Sequence, residues 1–446
     1  MLRIRAGRVH PVTAPPIEDG AVLVDADGKI AAIGPHRDVP PSPRTETLAY
    51  ADAILVPGLV NCHTHLELTH LAGRNSEPDF AAWIRRIREL KDATPLEAFY
   101  EAAVAGVKDC WTRGVTCVAE TGSTGGAMRA LHDLGGRGLV YQEVFGPDPG
   151  KVRASMQELD GAVSQLRRLA TSQLRVGVSP HAPYTCSTDV YEWALSLGVP
   201  VGTHLAESEA ENEWLVSGGG AMAPFAQIFV EPTGETGVRM LARHGLLVPE
   251  LLCAHCVQLD SDEVDLLAAH DVPVAHCPRS NALLGCGIAP IAHLRDASAR
   301  VGLGTDSPAS TPSFDVFEEL RAAIYMARAR ERRPDALSAA EALELATLGS
   351  ARALGLDAEL GSLAPGKRAD LAVVSLSGSP YLPWEDPAAA VVYGGSPDRV
   401  AATLVDGETR YEKGTFEWHE VHSTSASARS RMLRSPAPAG DGSRTR

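Results

Sequence analysis

The central part of the chain alternates between short apolar runs and longer amphipathic stretches. Between residues 55 and 356, apolar runs of strand length are separated by segments long enough for helices. In chain order the runs are ILVPGLV, GVTCVAE, RGLVYQEVFG, LRVGVSP, VPVGTHL, LLCAHCV, VPVAHC and RVGLGTD. Nearly continuous apolar strands between helices are typical of a parallel sheet covered by helices. Eight such units predict an α/β fold, the (β/α)₈ TIM barrel.

The two ends of the chain have a different, shorter pattern. Residues 1–54 include AVLVDADGKIAAIG, which indicates a hairpin that turns at Asp27 and Gly28. Residues 357–420 return to short strands, ADLAVVSL and RVAATLVDGETRYEKGTF. We therefore expect both end segments to pair as one small composite β-sandwich domain beside a barrel of residues 55–356.

Three further segments are set apart by their pattern. Residues 79–91 have apolar side chains at helical spacing, which predicts either a packed amphipathic helix or a helix that covers the site. Residues 207–236 form a long insertion with three consecutive glycines, a candidate lid or specificity loop. Residues 421–446 have almost no large apolar side chain, so we predict a disordered tail that buries too little surface to offset ordering.

Charge and composition narrow the class of partner. The 446 residues include 41 basic and 56 acidic side chains, a formal net charge of −15. This excess of acidic side chains argues against the basic surface patch that binding to a nucleic-acid backbone requires. Neither a membrane-spanning apolar run nor the apolar core of a secretory signal is present in the sequence. We therefore expect a cytoplasmic protein with a small-molecule substrate and no nucleic-acid or membrane partner; a homo-oligomer such as a dimer stays open.

The cysteines are predicted to be buried free thiols. The sequence has eight of them, and Cys62, Cys117, Cys253 and Cys277 lie inside or beside apolar strand-like runs. There a free cysteine acts as a small apolar side chain. A disulfide framework is disfavoured in a cytosolic chain of this length.

The strongest chemical pattern is VNCHTHL at the end of the first barrel run. His63 and His65 are two residues apart, so an extended strand points both imidazoles the same way and supplies half of a metal site. Active sites of such barrels lie at the carboxyl ends of the strands. Later strand ends carry further side chains of this kind, namely His181, His204, His255, His276 and Asp306. Their recurrence favours a shared metal site over unrelated core histidines.

Taken together, these motifs resemble the amidohydrolase superfamily. PGLVNCHTH, SPHAPYTCS, THLAES, AHCVQLD, AHCPRSN and GLGTDSPAS occur in order, and GSLAPGKRADLAVV matches the return into the small β domain of that family. Within it, the chain resembles the mononuclear aminohydrolase branch, which deaminates nucleosides and bases. The resemblance covers nearly the whole chain and implies the same barrel and composite β domain.

The resemblance also implies a role for each matching residue. It gives the metal ligands as His63, His65, His204 and Asp306. Glu207 in HLAE would be the general acid and base, and His255 and Asp306 would orient a water molecule and accept its proton. The implied cofactor is one divalent metal ion per subunit, Zn²⁺ by default, although Fe²⁺ accepts the same ligands. The implied reaction is attack of metal-activated water on an amidine-type carbon with release of ammonia.

The number of metal ions depends on the third and fourth strands. Binuclear members bridge their ions with a modified lysine or with a glutamate from one of these strands. Here SPHAPYT has no lysine, and the third strand carries Glu143 in YQEVFG. The HLAE glutamate is typical of the one-metal branch. We therefore assign Glu143 to the pocket wall or to substrate contact.

Several residues are candidate substrate contacts: Glu67, Glu143, His181, Arg279, Ser280 and Asn281. Arg279 either pairs with a substrate carboxylate or holds the loop after the seventh strand. Glu67 either binds ribose hydroxyl groups or supports the structure. HTHLE together with HCPRSN resembles the aminodeoxyfutalosine deaminase group.

The resulting hypothesis is hydrolytic deamination of an adenine-type nucleoside, with aminodeoxyfutalosine as the first candidate. One alternative is deamination of S-adenosylhomocysteine or methylthioadenosine. Others are a guanine, cytosine or triazine-type aminohydrolase or a chlorohydrolase. A non-enzymatic scaffold on this fold is disfavoured because every ligand position is filled.

Overall fold

The structure is a computed structural model that describes residues 1–148, 150, 152–380, 382, 385–415 and 418–434. The strands are β1 Leu2–Val9, β2 Ile17–Val24, β3 Ile30–Pro35, β4 Glu46–Pro57, β5 Leu59–Thr64, β6 Val115–Gly122, β7 Arg137–Val144, β8 Leu174–Pro180, β9 Val201–Leu205, β10 Leu251–His255, β11 Val274–His276, β12 Val301–Leu303, β13 Leu371–Ser375, β14 Val400–Val405 and β15 Glu408–Glu412.

Helices separate most of the barrel strands. They are α1 Phe80–Asp92, α2 Leu96–Thr112, α3 Gly126–Leu134, α4 Val152–Arg167, α5 Thr188–Ser196, α6 Glu209–Ser217, α7 Gly237–Arg243, α8 Ser261–Ala269, α9 Pro278–Leu283, α10 Ile291–Asp296, α11 Val316–Glu331, α12 Ala339–Glu344, α13 Ser350–Ala353, α14 Pro387–Gly394 and α15 Trp418–Arg434. Short 3₁₀ segments cover Leu66–Leu71, Ala223–Ile228 and Pro397–Arg399, and a π-helical turn covers Leu345–Gly349.

Strands β5 to β12 form an eight-stranded parallel sheet in sequential order. The two edge strands meet where Thr64 pairs in parallel with Asp306, which brings the sheet round into a nearly closed barrel. Across the same junction, Asn61 Nδ2 donates to Thr305 Oγ1 at 2.8 Å, and Thr305 N donates to Asn61 Oδ1 at 3.0 Å. The predicted (β/α)₈ barrel is confirmed. Each predicted run contains a strand, but the first begins later than expected, because residues 54–57 belong to β4.

Both ends of the chain form a second sheet with the order β15-β14-β13-β4-β1-β2-β3. Its strands pair antiparallel except for β1 and β4, which are parallel. The predicted hairpin joins β2 to β3 with Gly28 at φ 74°, a conformation that glycine adopts without steric cost. The composite β domain is therefore confirmed as this seven-stranded sheet. Only Gly58 separates β4 from β5, so the chain passes straight from one sheet into the other.

A buried ion pair links the barrel to the terminal sheet. Arg137, at the start of β7, donates through Nε to Asp370 at 2.9 Å and through Nη2 to Asp406 at 2.5 Å. The Arg137 side chain is only 5% exposed, so these contacts are shielded from solvent. Breaking such a pair leaves an uncompensated buried charge.

The two predicted lid segments contact each other. Helix α1 begins where Asp79 accepts a hydrogen bond from Ala82 N, close to the predicted start. Residues 207–236 form α6 and a 3₁₀ segment. Trp214 and Phe229 from this insertion belong to one buried apolar cluster with Phe80 of α1 and Tyr184 from the loop after β8. The insertion and α1 are thus packed together beside the barrel.

The predicted disorder of residues 421–446 is wrong for residues 421–434, which belong to α15; residues 435–446 lie outside the described part of the chain. Ala428 packs against Ala98 and Ala102 of α2. Met432 enters a cluster with apolar side chains of α1, α2 and the 3₁₀ segment after β5. Small side chains at the contact let the two helices approach closely, which a composition-based prediction does not detect.

All eight cysteines are buried free thiols, as predicted. No described helix is both long and apolar enough to cross a membrane.

Candidate metal centre

The carboxyl ends of β5, β9 and β12 bring the predicted metal ligands together. His63 lies on β5 and His65 directly after it, while His204 lies on β9 and Asp306 follows β12. Gly304 allows the close approach of the last strand to the first, because a Cβ there would lie 2.8 Å from His63 Cβ. The sequence-predicted ligand set is therefore assembled at one point of the barrel mouth.

Several residues at this point have an unusual backbone. Ala206, His255 and Asp306 have φ values of 51°, 74° and 58°. Non-glycine residues pay a conformational cost in this left-handed region and concentrate at functional sites. The left-handed conformations thus occur at the ends of β9, β10 and β12, where the site residues lie.

The donor atoms are close enough to share one ion. Asp306 Oδ1 lies 3.5 Å from His63 Nε2 and 3.4 Å from His65 Nε2. His204 Nε2 is 3.4 Å from His65 Nε2. His63 Nε2 is buried and lacks a hydrogen-bond partner within the described residues. A set of three imidazoles and one carboxylate suits a divalent transition metal, and the residues present therefore fit the implied ion.

Burial keeps the imidazoles of His63 and His65 neutral. It lowers the pKa of His63 to about 3 and that of His65 to about 4, because the charged form loses its hydration. His204 is oriented by its Nδ1, which donates to the His181 carbonyl oxygen at 2.8 Å and directs Nε2 to the centre. His63 and His65 are therefore held in the neutral form that binds a metal ion, and His204 is held in the orientation that such binding needs.

Ser280 and Asn281 contact site residues rather than an open pocket. Ser280 Oγ donates to Asp306 Oδ2 at 2.6 Å, and Ser310 Oγ donates to the same oxygen at 2.7 Å. His255 Nδ1 lies 2.9 Å from Asn281 Oδ1. Both residues lie within α9, which places their side chains against Asp306 and His255. Substrate contact by Ser280 and Asn281 stays a prediction, and Asn281 Nδ2 has no hydrogen-bond partner among the described residues.

Glu207 lies beside the metal donors. Its Oε1 is 3.7 Å from His255 Nε2, and Glu207, His255 and Asp306 form one group whose ligand atoms lie within 4.8 Å of one another. Burial, reinforced by the negative charge of Asp306, raises the pKa of Glu207 to about 8. A carboxyl group poised near neutrality can both give and take a proton.

Arg279 is held by the loop and helix behind the site. Its guanidinium donates to the carbonyl oxygens of Asp315 at 3.0 Å and Ser313 at 3.2 Å. It also pairs with Glu318 at 3.0 Å and Glu319 at 3.3 Å. These contacts support the loop-holding alternative for Arg279 over pairing with a substrate carboxylate, since its donors are engaged by groups of the protein.

Glu67 likewise supports the structure. Its two oxygens accept hydrogen bonds from Ser123 N at 2.9 Å and Thr124 Oγ1 at 2.7 Å, and the residue is 1% exposed. The loop after β5 is thereby tied to the loop after β6. The contacts fit the structural alternative for Glu67 rather than ribose binding. Glu120, which the sequence did not single out, accepts from Leu66 N at 2.6 Å in the same region.

Glu143 and His181 line another side of the donor set. Together with His204 they form a group whose ligand atoms lie within 4.8 Å of one another. Glu143 Oε2 is 3.2 Å from Lys91 Nζ. Burial opposes ionisation of Glu143, but the Lys91 ammonium and nearby imidazoles hold its pKa below the ordinary value. The ring of Phe145 stacks on His181 with centroids 4.6 Å apart.

Sequence reasoning missed Lys91 and Phe145 as site residues and misplaced His276. Lys91 lies four residues after Ile87 on the apolar face of α1, and Phe145 two residues after Glu143, so both signals were present in the spacing. His276 is buried, and its ring nitrogens have no partner among the described residues. It belongs to none of the donor groups found there.

Comparisons with known proteins agree with this geometry. A model of the amidohydrolase family matches residues 54–410. A 5-methylthioadenosine/S-adenosylhomocysteine deaminase of Symbiobacterium thermophilum is 31% identical over 92% of this chain and 93% of its own length. A 5'-deoxyadenosine deaminase of Methanothermobacter thermautotrophicus is 31% identical over 91% and 94%.

Solved structures give the same result for the fold. A zinc-bound adenosine deaminase from Xanthomonas campestris superimposes with a TM-score of 0.86 at 30% identity, over 97% of this chain and 98% of that one. The atrazine chlorohydrolase TrzN from Arthrobacter aurescens, at 23% identity, shares the fold with a TM-score of 0.83 over 96% of this chain and 100% of its own. With the donor set in place and the family model matching most of its length, this chain belongs to the amidohydrolase family.

Proposed function

We propose that this protein is a metal-dependent aminohydrolase that deaminates an adenine-type nucleoside. The observation that carries the proposal is the placement of Glu207 beside His255 and Asp306 at the metal donor set. Relatives named as deaminases of adenine nucleosides match the chain over more than nine-tenths of its length. A hydrolase that acts on a carbon–nitrogen bond is consistent with the placement of Glu207 and with the names of these relatives.

The site residues divide the proton transfers between them. His63, His65, His204 and Asp306 would hold one divalent ion, Zn²⁺ before Fe²⁺, which when bound lowers the pKa of water and polarises the reacting carbon. His255 and Asp306 orient the attacking water and accept its proton. Glu207, protonated near neutral pH, gives a proton to the ring nitrogen beside the reacting carbon. The same carboxyl group then assists departure of ammonia.

The identity of the nucleoside rests on two sets of observations. HTHLE and HCPRSN resemble the aminodeoxyfutalosine group, but Arg279, the candidate partner for its carboxylate, is engaged by Glu318 and Glu319. The relatives named above act, by their names, on methylthioadenosine, S-adenosylhomocysteine and 5'-deoxyadenosine. We therefore propose adenine nucleosides as the class and keep aminodeoxyfutalosine as one member to be assayed.

A substrate panel tests the proposal directly. Purified zinc-loaded protein is incubated with aminodeoxyfutalosine, methylthioadenosine, S-adenosylhomocysteine, 5'-deoxyadenosine and adenosine, and the adenine-to-hypoxanthine absorbance change is followed. Guanine, cytosine and a triazine serve as comparison substrates. Asp306→Asn is the matched inactive variant and should abolish turnover while retaining the fold. No change with any adenine nucleoside, despite stoichiometric metal, would contradict the proposal, and turnover by Asp306→Asn would show that the metal site is misassigned.

A further inference from the structure

The metal donor set has different neighbours on different sides. Glu207 follows β9 and lies against His255 and Asp306. Glu143, on β7, lies instead against His181 and His204 and is linked to α1. The two carboxylates therefore reach the donor set from different strands. A purine that reacts at the metal and presents a ring nitrogen to Glu207 has its remaining part free to extend toward the side of β7.

Lys91 and Glu143 form an ion pair on that side. Lys91 lies in the last turn of α1, with a side chain 21% exposed, while the Glu143 side chain is 3% exposed. Their nearest charged atoms are 3.2 Å apart. The pair therefore offers an ammonium donor and a carboxylate acceptor next to each other, and the Lys91 side chain is partly exposed.

An aromatic face completes this surface. Phe145 is 46% exposed although large and apolar, and its ring is stacked on His181. Lys91 Nζ lies 5.9 Å from the centroid of the same ring. A donor, an acceptor and an exposed ring thus lie within a few ångströms. Carbohydrate groups match this combination, because a hydroxyl group both donates and accepts while its carbon framework packs on an aromatic face.

The neutral charge of the pair argues against an anionic substituent on the substrate. Lys91 is already balanced by Glu143, and Glu67 adds to the negative potential that raises the pKa of Lys91 against the effect of its burial. An extra carboxylate would meet Glu143 at close range. Glu67 itself is excluded as the sugar contact, since its oxygens accept hydrogen bonds from Ser123 and Thr124.

We propose that Lys91, acting with Glu143, is a specificity-determining residue that binds the ribose hydroxyl groups of the nucleoside. The inference rests on the proposed function and names the part of the pocket that recognises the sugar. Lys91 donates to a hydroxyl oxygen and Glu143 accepts from a hydroxyl proton, while the sugar packs against Phe145. This contact involves none of the residues that transfer protons at the purine.

The test compares adenosine with 2',3'-dideoxyadenosine, which lacks both hydroxyl groups. Wild-type protein should prefer adenosine by about 10- to 100-fold in kcat/KM, the effect of hydrogen bonds to charged groups. In Lys91→Met, KM for adenosine should rise by about tenfold or more with kcat little changed, and the values for dideoxyadenosine should stay as in wild type. Lys91→Arg, which keeps a charged donor, should recover part of the preference.

Arg88→Met is the matched control, because Arg88 is an exposed cation on the same helix. It should leave both substrates unaffected. An equal loss on both nucleosides in Lys91→Met, or a wild type without preference, would overturn the role of Lys91 while deamination stands. If wild type turned over neither of these two nucleosides nor any other adenine nucleoside of the substrate panel, the proposed function would fail. Calorimetric titration of the same two nucleosides then decides the role of Lys91: a preference for adenosine that Lys91→Met removes supports it, and equal affinities overturn it.

Discussion

Ser280 and Asp306 are joined by a hydrogen bond of 2.6 Å from the hydroxyl group to Oδ2. Ser310 occupies the same oxygen at 2.7 Å. The other oxygen, Oδ1, is thereby left facing His63 and His65. Two hydroxyl groups from different segments thus decide which oxygen of the carboxylate is directed at the metal donors.

Removing these hydroxyl groups should weaken metal binding. Ser280→Ala should lower zinc affinity or kcat by about tenfold, and the double variant with Ser310→Ala should lose more, because groups that orient ligands contribute at this level. Competition with a chromophoric chelator measures the affinity. Ser313→Ala, in the same loop, is the control. Unchanged affinity in the double variant would show that the serines do not orient Asp306.

Replacing Glu207 by glutamine should abolish proton transfer without disturbing the fold. Glutamine keeps the shape but cannot give or take the proton, so kcat should fall by about 10²- to 10⁴-fold. Metal content and melting temperature should match wild type. Glu209→Gln, an exposed neighbour at the start of α6, is the matched control. Activity within tenfold of wild type in Glu207→Gln would remove Glu207 from the mechanism.

Arg137 should contribute far more to stability than a comparable surface arginine. Arg137→Met leaves Asp370 buried without its partner, which should cost about 3–5 kcal/mol. Arg175→Met breaks a pair with Glu359 whose side chains are 47% and 37% exposed, and should cost at most about 1 kcal/mol. Urea denaturation of both variants gives the comparison. Equal losses of unfolding free energy in the two variants would show that burial does not strengthen the ion pair between the barrel and the terminal sheet.

Stability should fall below about pH 6.5 in part through His70. Burial lowers its pKa to about 4 in the folded chain, whereas the unfolded chain titrates near 6.5. Between these values the unfolded state binds the extra proton, so the free energy of unfolding decreases as the pH falls, by at most about 1.4 kcal/mol per pH unit for one group.

His70→Gln should be less stable than wild type at pH 7.5, because it loses the edge contact with Phe99. The difference in unfolding free energy between the two proteins should narrow toward pH 4.5. Only wild type loses stability there, because its folded state keeps His70 neutral. Urea unfolding at several pH values follows this trend. A difference that stays constant across the range would mean that His70 does not titrate as its burial requires.

The barrel and its metal ligands were predictable because both follow from short patterns that repeat along the sequence. Alternation along a strand places His63 and His65 on one face, and the ends of parallel strands meet at one edge, which brings in His204 and Asp306. These rules need no knowledge of side-chain direction in loops. The ligand set and the fold class therefore follow from the order of motifs along the chain.

The substrate contacts were harder because they depend on how loops turn. Ser280, Asn281 and Arg279 all follow the seventh strand, yet α9 directs the first two at Asp306 and His255 and the third at Glu318 and Glu319. The position of a residue in the sequence predicts that it lies near the site, but it does not predict the direction in which its side chain points. Lys91 was missed for the related reason that its partner, Glu143, lies on a strand distant in sequence.

Helix α15 has a practical consequence for work with the purified protein. Met432 shares an apolar cluster with Leu90 of α1, the helix that carries Lys91, and Arg431 pairs with Glu101 on α2. An affinity tag or fluorescent fusion joined directly after Arg434 would therefore begin beside the helix that carries Lys91. Met1 is 53% exposed and directly precedes β1 of the terminal sheet, so a tag before Met1 is the safer choice for kinetic studies.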